Sequence, residues 1–477
     1  MVEIFIGLEI HIQLMTRSKV FCSCEMISGE EPNTRICPVC MGYPGVLPAV
    51  NEQALFLSYL MGSALNCTLA QKTWFDRKNY FYPDMTKNYQ ISQFSSPVGR
   101  GGWMDYLEKG ELKRVHIHDI HLEEDAGKMV HQGNFSLLDY NRAGSSLLEI
   151  VTEPELTSPE AAEVFLQSFR SLVRCLRACD GNMETGSLRC DANVSVNSLG
   201  MGLGTKVEIK NLNSSRFVRK ALEYEVRRQS RLMQAGKPVI QETRLWNEQS
   251  GKTESMRTKE EAKDYRYFPE PDIPPFVPSE AFLNRVTSSL TELPAARELR
   301  YIREYGLTEE TAHYLAEERE RAEYFEELIS SGTEVAAAAA WIKGELAKLQ
   351  GRYAFSLSDG TLPPQAVTTV VRMTGTEELT VQQAKQVLEL MVQRGIVQPE
   401  EVIAQEGFKK AEDDGELKEI ISKIVAEHLN AAEQIRDGNM KAVGYLMGMV
   451  MKETRQSADP RTARRLLLEE IGCKQEE

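Results

Sequence analysis

Four cysteines near the start of the chain carry the plainest chemistry in the sequence. Cys22 and Cys24 form one close pair, and Cys37 and Cys40 form a second after twelve intervening residues. Two thiol pairs on two turns can supply the four ligands of tetrahedral zinc with little chain strain. Four thiolates leave no open coordination position, so the expected ion is structural. Carboxylates and histidines form a second set. Glu9 and His11 are two residues apart in GLEIHIQL. In HIHDIHLEEDAGK, His121 is followed by Glu123, Glu124 and Asp125. Adjacent acids repel unless a cation or water separates them, so a divalent-metal site and a solvated acidic turn both fit. Glu149 sits inside the apolar run LLEIV, where an unpaired buried carboxylate is costly; a metal or a basic side chain would be a sufficient partner.

The elements that must position these groups are legible in part. From Val2 to Leu14 the even positions Ile4, Ile6, Leu8, Ile10, Ile12 and Leu14 are apolar, whereas the odd positions include Glu3, Gly7, Glu9, His11 and Gln13. That period of two predicts a half-buried strand. Glu9 and His11 then share a face about 7 Å apart, within reach of one ion or of solvent alike. Up to about residue 268 the chain alternates short segments with Gly and Asn punctuation. PEPDIPPFVP, residues 269–278, is half proline and reads as an extended connector. Beyond it, segments such as AARELRYIREYG and ETAHYLAEERERAEYFEELISSG read as helices ending at glycine. The Ala-rich stretch from Val335 to Leu349 reads as a packing helix with Trp341 on one face. KEIISKIVAEHLNAAEQIRDG and the segment from Met440 to Met451 read as amphipathic helices of a small terminal domain. The expected domains are 1–293, 294–406 and 407–477.

The 477 residues carry a net charge of −14, so a nucleic-acid site must be a local patch. Two such patches exist. Lys206 to Arg231 holds eight basic and three acidic residues, with Arg216, Lys220, Arg227 and Arg231 on one helical stripe and Ser214 or Ser215 as the cap. Gly438 to Arg465 holds six basic residues, including Lys441, Lys452 and Arg455, against two acidic ones. There is no G-x-x-x-x-G-K-[ST] loop and no G-x-G-x-x-G after a strand. No apolar run reaches the roughly 18 residues of a membrane span, and the N-terminus lacks the layout of a signal peptide. With nine cysteines, an odd number that includes Cys473, the expected compartment is the reducing cytoplasm.

Seven ordered segments carry a family resemblance: GLEIHIQL, FDRKNYFYPDMTKNYQISQF, HLEEDAGK, NRAGSSLLEIVTEPE, GSLRCDANVSV, KVEIKNLNS and DYRYFPEPDIPP. Together they closely resemble the B-subunit family of bacterial aspartyl/glutamyl-tRNA amidotransferases. The tail segment MKAVGYLMGMVMKETRQSADP resembles that family's tRNA-contacting domain.

The resemblance implies an α+β fold: an N-terminal cradle domain around a twisted antiparallel sheet, an all-α middle domain and a small all-α tail. It implies a heterotrimer with an amidase subunit plus a small third subunit, acting on misacylated tRNA. ATP would phosphorylate the side-chain carboxylate of Glu-tRNA(Gln) or Asp-tRNA(Asn), and ammonia tunnelled from the amidase would then amidate it. Positions matching Glu9, His11, Glu124 and Glu149 would bind Mg²⁺, with Mn²⁺ as an alternative. Arg216, Lys220, Lys441, Lys452 and Arg455 would meet tRNA. Gly144, Ser145 and Ser146 superficially resemble an amidase signature but lack its surrounding glycines and read as structural. Asp119, Ser146, Asn439 and Gln456 depart from the family pattern. A non-catalytic tRNA-binding scaffold, whose acids and histidines merely satisfy a polar core, is the alternative function.

Overall fold

The computed structural model describes residues 2–27, 29–258, 264–408, 414–436, 439–454, 458 and 460–472. The chain divides into two compact units, Met1–Tyr301 and Ile302–Glu477. The alternation of the first segment sets the frame of unit one. In strand β1, Val2–Gln13, the side chains of Ile6, Leu8, Ile10 and Ile12 are fully buried, and Glu9, His11 and Gln13 are half-buried on the other face.

Eight further strands join it: β2 Thr68–Leu69, β3 Gly99–Glu108, β4 Glu111–Glu124, β5 Ser146–Thr152, β6 Leu188–Ser198, β7 Val207–Leu212, β8 Glu242–Asn247 and β9 Lys252–Thr258. Among the described residues their order across the sheet is β9, β8, β7, β6, β1, β5, β4, β3, β2. The α+β architecture is the one expected. The sheet is mixed at a single pair, however, since β7 and β8 run parallel. The cause is helix α3, Ser215–Gln234, which lies between them in the chain and carries it back to start in the same direction.

Helices α1, Glu52–Ala64, and α2, Pro159–Cys175, complete the cover on the apolar face together with α3. Asn51, Ser158 and Ser214 cap the three helices through their side-chain oxygens, which satisfies backbone N–H groups that have no intrahelical partner. Phe165, Phe169, Val173 and Leu222 are fully buried in the same apolar cluster as the aliphatic residues of β1. One irregularity controls the polar face. The register of β4 shifts between Ile117 and Asp119, so Val115 and Ile117 point to the core before the bulge and Ile120 and Leu122 after it.

The proline-rich connector is extended and pairs at the edge of a small sheet. Phe268–Pro269 lies antiparallel to Asp76–Asn79, and Phe276 exchanges both backbone hydrogen bonds with Thr73.

Unit two is helical throughout its described elements. Gly306 and Gly332 follow helices with φ of 65° and 97°, the left-handed conformation a residue with Cβ resists. The Ala-rich stretch is helical but carries a π turn at Ile342–Leu346, and Ile342, Leu346 and Leu349 provide its buried face while Trp341 is half-buried. The expected helix through HLNAAEQ breaks at His428 into Asp414–Glu427 and Leu429–Arg436. These two pack with Lys441–Glu453 and Pro460–Ile471 around a shared apolar cluster.

Gly102 marks a close approach in unit one. A Cβ there would lie 2.2 Å from the Leu65 carbonyl oxygen and 2.8 Å from the Cys67 nitrogen, where Trp103 N–H donates to that same carbonyl at 2.7 Å. Gly102→Ala should destabilise unit one by about 1–3 kcal/mol. A urea midpoint equal to that of the unmodified protein would show that the backbone there yields freely.

Candidate functional site

Strands β4, β5, β1 and β6 lie side by side and set four residues in one row. His121 is opposite Glu149, Glu149 opposite His11, and His11 opposite Arg189. Directly opposed residues share a face, so the row projects from the side of the sheet away from the helices. His121 Nε2 is 2.9 Å from Glu149 Oε2, and His11 Nε2 is 3.3 Å from the same oxygen. His121 Nδ1 meets Asp119 Oδ1 at 3.1 Å. Glu123 joins from β4, with Oε1 3.8 Å from His11 Nε2 and Oε2 3.3 Å from the Ser92 hydroxyl. Ligand atoms of His11, Glu123 and Glu149 all lie within 4.8 Å of one another, a grouping able to hold a metal ion.

The electrostatics follow from burial and pairing. Burial alone would raise the pKa of Glu149, but hydrogen bonds from His11 and His121 outweigh it and hold this carboxyl well below the usual range. Burial would lower the pKa of His121. Its bonds to Asp119 and Glu149 win and hold it at about 10. His11 moves the same way, raised against burial by Glu149. Glu123 is pushed up by burial first and by the charge of Glu149 second. Glu9 is also raised, chiefly by burial, and accepts a 2.7 Å hydrogen bond from Asn193.

The structure therefore brings His11 and Glu149 together, sets Glu9 two residues away on the same face, and puts Glu124 elsewhere. Glu124 follows Glu123 directly and so points to the opposite face, where both its oxygens take the Lys87 ammonium at 2.6 and 2.5 Å and Oε1 accepts from Ile91 N–H. The carboxylate that β4 sets beside His11 and Glu149 is that of Glu123. His121 and Asp119 are visible in the sequence, but not their function as the support of Glu149. Ser145 and Ser146 are fully buried, and the Ser146 hydroxyl lies 3.2 Å from that of Thr16.

Cys22, Cys24, Cys37 and Cys40 also converge, their sulfurs within 4.8 Å of one another. The Cys40 thiol is lowered to about 4: Cys22 donates to it, burial opposes, and the Cys37 N–H and Lys19 ammonium assist. Lys19 is fully buried with Nζ 3.6 Å from Cys40 Sγ. A pocket that holds a thiolate beside three further thiols can bind a metal such as zinc.

The basic patches prove less free than their sequence count implies. Arg219 pairs with Glu160, Glu163 and Glu223, Arg228 with Glu225, and Lys210 with Asp191 and Glu208. Arg216 and Lys220 remain exposed and line an open groove of about 870 Å³ together with Arg189. In unit two, Lys441 and Lys452 lie on the helix Lys441–Glu453. Arg455, Gln456 and Cys473 lie outside the described residues.

A family model described as the GatB/GatE catalytic domain matches residues 4–284, and one described as the GatB domain matches residues 323–471. The chain is 43% identical to the B subunit of the aspartyl/glutamyl-tRNA(Asn/Gln) amidotransferase of Carboxydothermus hydrogenoformans, covering 98% of this chain and 99% of that one. The protein of the same name from Thermodesulfovibrio yellowstonii is 43% identical, with 98% of each chain covered. That from Persephonella marina is 41% identical over 98% of this chain and 99% of its own.

Two tests address these sites. Protein purified under reducing, chelator-free conditions should carry about one zinc per chain, and Cys37→Ser should lose most of it; metal analysis near zero in the unmodified protein would overturn the assignment. The His121 pKa is raised on folding, so its pairing stabilises fully below its ordinary value of 6.5 and the benefit is lost as pH rises through about 10. In divalent-free buffer the thermal midpoint of His121→Gln should fall below that of the unmodified protein by a few degrees near pH 6. That gap should close toward pH 10, and a gap independent of pH would rule out the paired imidazolium.

Proposed function

The chain belongs to the GatB family, the B subunits of aspartyl/glutamyl-tRNA(Asn/Gln) amidotransferases, and from that membership we propose that it activates the side-chain carboxylate of a misacylated tRNA for amidation. A carboxylate is a poor electrophile toward ammonia, so phosphoryl transfer from ATP has to come first, releasing ADP and giving an acyl phosphate at whose carbonyl carbon ammonia displaces inorganic phosphate. Glu-tRNA(Gln) or Asp-tRNA(Asn) would be the substrate. Glutamine hydrolysis by an amidase partner would supply the ammonia, with a small third subunit completing the heterotrimer. This work belongs in the cytoplasm, and no described helix is long and apolar enough to cross a membrane.

The observation that carries the reading is the His11, Glu123 and Glu149 group on the open face of the sheet. Its one imidazole and two carboxylates, gathered within 4.8 Å, fit a divalent cation, and the nitrogen donor suits Mn²⁺ as well as Mg²⁺. When bound, that ion would neutralise phosphate charge during transfer. The protein's own part is positional. Glu149 stays ionised between two histidines, Asp119 fixes the ring of His121, and Asn193 orients Glu9 beside the group. Lys441 and Lys452, with Arg455, would give phosphate contacts to tRNA from the tail, where affinity should depend on salt.

The test is Glu149→Gln in the assembled complex, which keeps the shape and removes the charge. Amidation and ATP-dependent activation should fall by roughly 10²-fold or more, while tRNA binding and glutamine hydrolysis by the partner persist. Amidation at the unmodified rate would instead favour the non-catalytic scaffold.

A further inference from the structure

Unit one exposes a set of aromatic rings that the site described above does not use. Phe94 is 61% exposed and stacks on Tyr267, with ring centroids 4.1 Å apart and planes 11° from parallel. Tyr265 meets Tyr267 edge to face at 6.1 Å, and Tyr80 meets Tyr265 in the same way. Lys78 Nζ lies 5.1 Å from the centre of the Tyr265 ring. Phe81, at 76% exposure, and the exposed Arg266 belong to the same two segments. Apolar rings of this size are rarely left open on a surface that binds nothing.

The shelf adjoins the carboxylate group. Ser92, two residues before Phe94, holds Glu123. The Tyr267 hydroxyl is pushed up in pKa, by burial first and then by the charges of Glu123, Tyr265 and Glu149.

We propose that this shelf seats the unpaired 3′-terminal base of the aminoacylated RNA, stacked on the open face of Phe94. The inference rests on the activation reading above. If the side-chain carboxylate reacts at His11, Glu123 and Glu149, the ester oxygen of the terminal ribose lies only about five bonds away, on the order of 6 Å. The terminal base must then rest on whatever borders that group, and Phe94 and Tyr267 border it. A flat ring with cations beside it is the arrangement that binds single-stranded nucleic acid without reading its sequence: rings take the bases, and Lys78 and Arg266 the phosphates. A strip of protein from a partner chain would also cover aromatic rings, and the test separates the two.

The assembled complex is titrated with an acceptor-stem minihelix ending in the unpaired CCA, and with the same minihelix lacking the terminal adenosine. The unmodified complex should prefer the complete end. Phe94→Ala should lose roughly tenfold or more in affinity for the complete end and bind the shortened RNA like the unmodified complex, and Phe94→Trp should keep the preference. Equal binding of both RNAs by Phe94→Ala and the unmodified complex would overturn the proposal. Failure of Phe94→Ala to assemble with its partners would overturn it in favour of a protein interface. If the unmodified complex binds the minihelix but forms no activated ester with ATP, the activation reading fails instead, and the stacking result stands apart from it.

Discussion

A carboxylate held ionised in the middle of a sheet is the constraint around which unit one is arranged. Glu149 stands on β5, flanked by β1 and β4, and burial there opposes its charge. The cost is offset only because each neighbouring strand offers a histidine directly across the ladder, His11 from β1 and His121 from β4. Both contacts depend on register. A slip of one residue in either pairing would turn that histidine to the core face and leave the carboxylate without it. The apolar side enforces the register, since Ile10, Ile12, Leu148, Ile150, Ile120 and Leu122 all bury beneath the same rows. Core packing and site geometry are therefore one requirement seen from the two faces of the sheet.

Much of this is legible in the residues. The period-two pattern of β1 defines its two faces and places Glu9 with His11. The apolar surroundings of Glu149 imply a partner, and of the two kinds that would suffice the structure shows a basic one, His11 and His121. Glu124 departs from its expected place for a physical reason. The bulge between Ile117 and Asp119 exchanges the parity of β4, so that after it the odd residues His121 and Glu123 face the site and the even residues face inward. The signal is present in the sequence as apolar residues at 115 and 117 followed by apolar residues at 120 and 122. The parallel pair β7 and β8 is hidden because strand direction depends on what α3 packs against. Glu225 and Gln229, fully buried on α3, are hidden as well: their partners Thr253 and Val196 come from β9 and β6.

The convergence of the cysteines obeys a different rule and is readable from spacing alone, because four thiols on two short turns need little help from distant chain. What spacing does not show is Lys19. A fully buried lysine next to sulfur is unfavourable unless that sulfur is charged, so the Lys19 and Cys40 pair ties the second cysteine turn to the chain just before the first. Lys19 also donates to the Tyr140 carbonyl, just before the turn that leads into β5. The cysteine loops and the strand carrying Glu149 are thereby joined through one ammonium group.

A net charge of −14 looks ill suited to a polyanionic substrate, yet the acids near the site are mostly spent on neighbours. Asp125 is held by Arg142 and by Arg189 at 2.9 Å, Asp191 and Glu208 share Lys210, and Glu149 is shared by two imidazoles. Each acid in these groups lies within hydrogen-bonding distance of a cation or a histidine, so its field is short-ranged and the repulsion felt by an approaching phosphate is much smaller than the formal count implies. The same pairing makes the acids interdependent. Removing a single cation, Lys210 for example, would leave two partly buried carboxylates facing each other, a larger loss than any one surface ion pair would cause. An acidic chain can in this way leave Arg216 and Lys220 exposed along an open groove while its own carboxylates stay paired across the strands of the sheet.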